Sequence, residues 1–105
     1  MRFAVMASGR GSNFQALIDA HARDELPDVE LVLLIVNKVG VPAIARAEAA
    51  EIPWTFIDSE IMSRTEFDRR ALAVLRDRCV EAVVLAGFMK GRWTQRRLRD
   101  PQAAW

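Results

Sequence analysis

Residues 29–36 read VELVLLIV, and this run restricts the possible folds more than any other part of the sequence. It is rich in β-branched residues, and a strand built from it would be apolar on both faces. Strands that are buried on both faces occur in the middle of parallel sheets that helices cover on each side. The run therefore predicts a central strand of an α/β sheet.

The remaining periodic segments alternate between strands and helices. Apolar runs predict further strands at residues 2–7, 52–58 and 82–88, and amphipathic segments predict helices at 13–23, 42–51 and 63–79. Ser63 and Glu66 form a capping-box pattern at the start of the longest helix. The β-α-β-α-β-α-β order predicts a Rossmann-like α/β fold with a doubly wound parallel sheet of about four strands. This is the order of half a Rossmann domain, so we expect a sheet that is incomplete beyond the fourth strand.

Charge is unevenly distributed along the chain, although the formal net charge is only +1. Residues 1–88 contain ten basic and thirteen acidic residues, whereas residues 89–105 contain five basic residues and one acidic residue. We therefore divide the chain into an α/β domain at residues 1–89 and a divergent basic tail at residues 90–105. A basic tail can contact nucleic acid or a membrane. No stacking platform or recognition motif accompanies this one, so we expect a solvated tail, no nucleic-acid partner and no membrane partner. An uncovered sheet edge after the fourth strand would favour self-association.

Cysteine and histidine each occur once, as Cys79 and His21. A single cysteine cannot form an intrachain disulfide, and one cysteine with one histidine cannot build a structural zinc site. We therefore expect no metal site and a cytoplasmic location. Cys79 follows Leu75 at helical spacing, which predicts a small buried side chain and not a nucleophile.

The N-terminal apolar run is too short for a signal peptide, and no apolar stretch reaches the length of a membrane span.

The segment ASGRGSN at residues 7–13 joins the first predicted strand to the first predicted helix. Such a loop lies at the carboxyl end of a parallel strand, where free N–H groups and the positive end of the helix dipole attract phosphate. Gly9 and Gly11 allow a tight turn and a close approach of the backbone to a ligand. Ser12 and Asn13 add a hydroxyl and an amide, and either can cap the helix. The alternative is a purely structural turn followed by a helix cap.

The residues around this loop favour a single phosphate group over a dinucleotide. The dinucleotide fingerprint requires a third glycine where this chain has Phe14. It also requires an acidic residue at the end of the second strand, where this chain has Asn37 and Lys38. A Walker loop is excluded because no Gly-Lys-Ser/Thr follows. The loop therefore predicts a site for a phosphate monoester.

Four motifs together resemble the phosphoribosylglycinamide formyltransferase family. They are SGRGSNFQALIDA after the first strand, VNK after the second, SRTEFDRRA at the third helix and VVLAGFM at the fourth strand. The matches keep the family's order over residues 1–89, and the first and last are specific in combination. The resemblance implies that Gly11, Ser12 and Asn13 hold the phosphate of the substrate glycinamide ribonucleotide, in agreement with the anion predicted from the loop.

The resemblance also implies a second ligand, the formyl donor 10-formyltetrahydrofolate. Arg64 matches an arginine that contributes to the folate side of the family's site, and Met89 lies where the family's folate pocket begins. Lys90 takes the place of the usual arginine there, which keeps the charge but loses the planar guanidinium. For Arg64 the alternative is an ordinary solvent-facing arginine in the first turn of a helix.

After Met89 the sequence departs from the family pattern. The family continues with an Asn-x-His-Pro motif and a later aspartate, which stabilise the oxyanion of formyl transfer and manage its protons. This chain continues KGRWTQRRLRDPQAAW, and its histidine lies on the first predicted helix. We therefore expect no catalytic residue in this chain, which would be a truncated or altered form of the N-terminal, phosphate-binding part of the enzyme. The alternatives are a non-catalytic phosphate- or mononucleotide-binding module, and a fragment whose basic tail mediates assembly.

Overall fold

The structure is a computed structural model that describes residues 1–7, 9–26, 28–58 and 60–85, together with the backbone of residues 96 and 97. Its elements, in chain order, are β1 (Arg2–Ala7), α1 (Ser12–Ala22), β2 (Glu30–Val36), α2 (Pro42–Ala49), β3 (Trp54–Phe56), α3 (Arg64–Asp77), β4 (Ala82–Leu85) and β5 (Arg96–Arg97). Every predicted strand and helix is present, and within the described residues their ends differ from the predicted ones by at most two residues. The predicted end of the fourth strand, residues 86–88, lies outside the described residues.

Four strands form a parallel sheet in the order β3-β2-β1-β4. From β1 the chain adds β2 and β3 on one side, and it then crosses back to add β4 on the other side of β1. Helices α1 and α2 pack on one face of the sheet and α3 packs on the other. This is a doubly wound Rossmann-like sheet, so the predicted fold class is confirmed. Within the described residues no helix is both long enough and apolar enough to cross a membrane.

The central strands are buried on both faces, as the apolar run in β2 predicts. Val5 of β1 packs with Phe14 of α1 on one face, whereas Met6 packs with Leu75 of α3 on the other. All four side chains are 0% exposed. Because successive side chains of β1 point to opposite faces of the sheet, this strand packs against all three helices. The loop that follows β1 begins from the most buried pair of strands in the sheet.

Strand β5 is the one described element that the sequence did not predict. It pairs antiparallel with β4, with Ala82 opposite Arg97 and Val83 opposite Arg96. A two-residue edge strand of charged residues has no apolar alternation, so sequence periodicity could not detect it. The edge after β4 was predicted to be uncovered, and this was wrong at these two positions. The division of the chain at residue 89 stays a prediction.

The two ends of α3 test two details of the sequence analysis. Ser63 caps the helix, since its side-chain oxygen accepts a hydrogen bond of 3.1 Å from the Glu66 N–H, as the capping pattern predicts. The prediction that Cys79 is buried was wrong, because its side chain is exposed. The helix ends at Asp77, and Cys79 adopts a left-handed conformation with φ 56°. The helical spacing that pointed the cysteine inward therefore no longer applies at that residue.

The loop between β1 and α1 is held by a close contact with α2. Gly11 is the N-cap of α1 with φ 77°, in the left-handed region that favours glycine. A Cβ atom on Gly11 would lie 2.8 Å from the Ala43 Cβ and 3.2 Å from the Arg46 Cδ, so a side chain cannot fit without a shift of α2. The N–H of Ala43 also donates a hydrogen bond of 3.4 Å to the carbonyl oxygen of Gly9. The α1–α2 packing therefore requires a glycine at position 11.

Gly9 has neither the positive φ of Gly11 nor its close contact with α2, so the two glycines allow a matched test. No described atom lies within 4 Å of a Cβ placed on Gly9, and its φ is not positive. We expect Gly11→Ala to destabilise the fold by about 2–4 kcal/mol, through left-handed backbone strain and overpacking. Gly9→Ala should change stability by less than about 0.5 kcal/mol. Urea unfolding of the two variants measures the difference, and equal midpoints would contradict the contact with α2.

Candidate anion-binding site

The candidate site lies at the carboxyl ends of the parallel strands. The loop from β1 to α1 emerges between β2 and β4, because the chain places β2 on one side of β1 and β4 on the other. A change of direction of this kind opens a crevice beyond the strand ends, where α/β proteins bind ligands. The sequence-predicted residues Gly11, Ser12 and Asn13 all lie at this point.

The first turn of α1 is open to an incoming anion. Gly11 is the N-cap and offers no side chain, and Ser12 and Asn13 are exposed residues of the first turn. The prediction that Ser12 or Asn13 caps the helix was wrong, because both residues already have helical conformation. The N–H groups of a first helical turn have no acceptor within the helix. No acidic residue lies in the first turn of α1, so no carboxylate of that turn competes for these donors.

The other two helices begin at the same edge of the sheet, but their N-termini already have protein partners. Helix α3 has the Ser63 cap and an acidic residue, Glu66, in its first turn. Helix α2 begins with Pro42, which has no N–H, and its next N–H, that of Ala43, donates to Gly9. Among the described helices, α1 therefore has the N-terminus best suited to an external anion.

Two arginines lie beside this N-terminus, and sequence reasoning assigned a role to neither of their side chains. Arg10 is exposed within the loop, between the two glycines. Arg46 is half-buried on α2, where its Nε donates to the carbonyl oxygen of Arg10 at 2.9 Å. Its Nη1 donates to the Gln15 Oε1 at 3.3 Å. The sequence AIARAEAAE is typical of a surface helix, so nothing in it distinguishes Arg46 from a solvated arginine.

The end of β2 adds a buried amide to the same edge. Asn37 directly follows the strand and is only 2% exposed, whereas Lys38 is exposed. In the sequence, these two residues indicated only that a ribose-binding carboxylate is missing. The signal that could have identified Asn37 is its position, since a polar residue that directly follows a buried parallel strand lies at the ligand-binding edge.

The acidic residues after β3 have a structural role. The Asp58 Oδ1 accepts a hydrogen bond of 2.9 Å from the Glu60 N–H, which closes a local turn. These acids follow the edge strand of the sheet and not the strand that precedes the glycine loop.

The residues predicted for the folate side are not brought together in the described part of the chain. Arg64 is the first residue of α3 and is exposed, on the other face of the sheet from α1 and α2. Met89 and Lys90 lie outside the described residues. The solvent-facing alternative for Arg64 agrees with its exposure, and its role toward a folate stays a prediction.

His21 and a separate surface hollow lie at the opposite edge of the sheet. The hollow has a volume of about 550 Å³ and is lined by residues at the starts of β1 and β2 and at the end of α1. Its polar groups are occupied with one another, since Arg2 binds Glu30 at 2.8 Å and the His21 Nε2 lies 3.1 Å from the Val29 carbonyl oxygen. His21 lies about 14 Å along α1 from Ser12, so its imidazole cannot serve the candidate site.

Comparison with known proteins identifies the family of the chain. Residues 1–91 match the protein family described as formyl transferase. The trifunctional purine biosynthetic protein adenosine-3 of Gallus gallus is 42% identical over 91 residues, covering 86% of this chain and 9% of that protein. The phosphoribosylglycinamide formyltransferase of Bacillus subtilis is 37% identical over 90 residues, covering 85% of this chain and 46% of that enzyme.

Solved structures of related proteins share the fold. The glycinamide ribonucleotide transformylase 1 of Geobacillus kaustophilus superposes with a TM-score of 0.82 at 34% sequence identity. The match covers 88% of this chain and 49% of that protein, so the chain spans about half the length of its single-function relatives. The family match extends over residues 1–91, and the doubly wound sheet agrees with the solved structures. This chain therefore belongs to the formyl transferase family.

Proposed function

We propose that this chain is the nucleotide-binding, N-terminal part of a phosphoribosylglycinamide formyltransferase. The complete enzyme would transfer a formyl group from 10-formyltetrahydrofolate to the amine of glycinamide ribonucleotide, in the cytoplasm. The observation that carries the proposal is the uncapped first turn of α1, at the carboxyl edge of the sheet, in a chain of this family.

The phosphate of glycinamide ribonucleotide would bind at Gly11, Ser12 and Asn13. The N–H groups of the turn point out of the helix start, and the hydroxyl and amide of the two exposed side chains add further donors. A phosphate monoester carries close to two negative charges at neutral pH, and the helix dipole and the nearby Arg10 and Arg46 favour such a charge.

Arg64, Met89 and Lys90 are the proposed contacts of the folate. An exposed arginine at the start of a helix can reach a carboxylate of the folate tail. The co-substrate supplies the formyl group, while this chain's residues bind and orient the two substrates. No residue of this chain is proposed as a catalytic group, because the family's Asn, His and Asp positions have no counterpart in the sequence.

The second candidate function is a non-catalytic module that binds a phosphate or mononucleotide. It is favoured by the open first turn of α1, which a single phosphate group could occupy whether or not a folate binds. Both candidates require the same phosphate site, and they differ in whether a folate binds as well. Self-association through a sheet edge also stays a proposal, with β5 covering part of the edge that the sequence analysis assigned to it.

The phosphate site can be tested by titrating the chain with glycinamide ribonucleotide while following backbone amide signals. We expect the signals of Gly11, Ser12 and Asn13 to shift at millimolar ligand, and the capped start of α3 to stay still. Asn13→Asp should weaken binding at least about ten-fold, because a carboxylate would occupy the positive helix end.

Thr65→Asp is the matched control for that variant. It places the same charge in the first turn of α3, at an exposed residue, and should leave the affinity within about two-fold of wild type. Shifts confined to other residues, or equal affinities of the two variants, would contradict a site at the start of α1.

Formyl transfer provides a second test, and we expect none from this chain alone. Uniform binding of the substrate phosphate does not raise the rate of the chemical step. Loss of a single oxyanion donor typically lowers the rate by about a hundred- to a thousand-fold, and three family groups have no counterpart here. Purified chain is assayed with both substrates for tetrahydrofolate production, beside a full-length family enzyme. Turnover at about one per cent of that enzyme would contradict the assignment, because oxyanion stabilisation would then have to come from this chain.

A further inference from the structure

Arg46 is the one described side chain of α2 that donates hydrogen bonds to both the glycine loop and α1. Its Nε–H donates to the Arg10 carbonyl oxygen at 2.9 Å, and its Nη1 donates to the Gln15 Oε1 at 3.3 Å. Gln15 is itself fixed on α1, because its amide nitrogen donates to the Asp19 Oδ1 at 2.9 Å. The guanidinium therefore spans the junction at which the loop becomes a helix.

The aliphatic part of the same side chain packs behind Gly11. The Arg46 Cδ would be 3.2 Å from a Cβ on Gly11, so the arginine stem lies directly against the glycine backbone. One side chain thus contacts the residue before the helix start, the N-cap and the first turn beyond it. Loss of these contacts would free the peptide units at the start of α1, residues 11–13.

The charge of Arg46 is not neutralised within the described part of the chain. Both of its described hydrogen-bond partners are uncharged oxygens, and the described salt bridges involve other arginines. A half-buried cation without a carboxylate partner raises the electrostatic potential of its surroundings. Here it lies next to the positive end of α1, where the two contributions have the same sign.

We propose that Arg46 is the positioning residue of the phosphate site: it fixes the backbone of Arg10 and Gly11 against α2 and adds positive charge behind the helix start. This inference rests on the proposed function, since it concerns the affinity of the same site. It assigns the role to a side chain that holds the ligand-binding backbone without touching the ligand.

The chemistry of the side chain explains why an arginine suits this position. The planar guanidinium presents several N–H donors in fixed directions, so it can bind the loop carbonyl and the Gln15 oxygen at once. A lysine would keep the charge, but a single flexible ammonium would not hold both oxygens in one geometry. Arginine and lysine variants therefore separate the positioning role from the charge alone.

The experiment measures the affinity of the full chain for inorganic phosphate and for glycinamide ribonucleotide by amide shifts, in wild type, Arg46→Gln and Arg46→Lys. We expect Arg46→Gln to bind both ligands at least about ten-fold more weakly than wild type, and Arg46→Lys about three-fold more weakly. Amide hydrogen exchange of Gln15 and Ala43 in the free protein should become faster in both variants.

Arg76→Gln is the charge-matched control. Arg76 is an exposed residue in the last turn of α3, so its replacement removes one positive charge at the opposite edge of the sheet. We expect it to leave both affinities and the Gln15 exchange rate unchanged. If Arg46→Gln does not fold, Arg46→Lys provides the same comparison with the charge retained.

Each outcome bears on the inference. If wild type binds both ligands and Arg46→Gln binds them equally well, the positioning role is overturned and the proposed function remains. If Arg46→Lys matches wild type in affinity and exchange, charge alone acts and the positioning role is again overturned. If wild type binds neither ligand, the proposed function fails first, and the inference fails with it.

Discussion

The close approach of α2 to Gly11 is the contact on which the rest of the candidate site depends. Ala43 would stand 2.8 Å from a Cβ at that position, so α2 can pack against the start of α1 only because a glycine is there. The same glycine adopts the left-handed conformation that begins α1 without a side-chain cap. Gly11 therefore both allows α2 to pack against α1 and leaves the start of α1 open to a ligand. In the sequence analysis Gly11 was assigned to phosphate approach, and the structure adds a packing requirement that exists without a ligand.

The three helices illustrate how one sheet edge can contain N-termini of different chemistry. All three begin at the carboxyl ends of the strands, where their dipoles point in a similar sense. Ser63 and Glu66 occupy the start of α3, and the loop carbonyl of Gly9 occupies the start of α2. The start of α1 has no side-chain cap and no acidic residue in its first turn. A phosphate at α1 would therefore complete a pattern in which each helix N-terminus has a partner, supplied by the protein in two cases and by the substrate in the third.

Much of the fold could be predicted from the sequence because its strongest signals are local and periodic. The apolar run of β2 required a central parallel strand, and the Ser63–Glu66 spacing identified the start of α3. The errors arose where tertiary contacts decide. Whether Ser12 or Gly11 caps α1 depends on the packing of Ala43 from another helix, and the exposure of Cys79 depends on where α3 stops. Strand β5 depends on pairing with β4, which no local pattern reports.

For the candidate site, the sequence predicted the glycine loop but not the Arg46 side chain that holds it. Gly11, Ser12 and Asn13 form a recognisable motif after a buried strand, whereas Arg46 is 36 residues away from Arg10 and joins it only through the fold. The most direct measurement is a crystal structure of the chain with glycinamide ribonucleotide bound. We expect phosphate oxygens within about 2.7–3.2 Å of the backbone nitrogens of Ser12 and Asn13. A ribonucleotide bound elsewhere on the chain, with the first turn of α1 in contact with solvent alone, would contradict it.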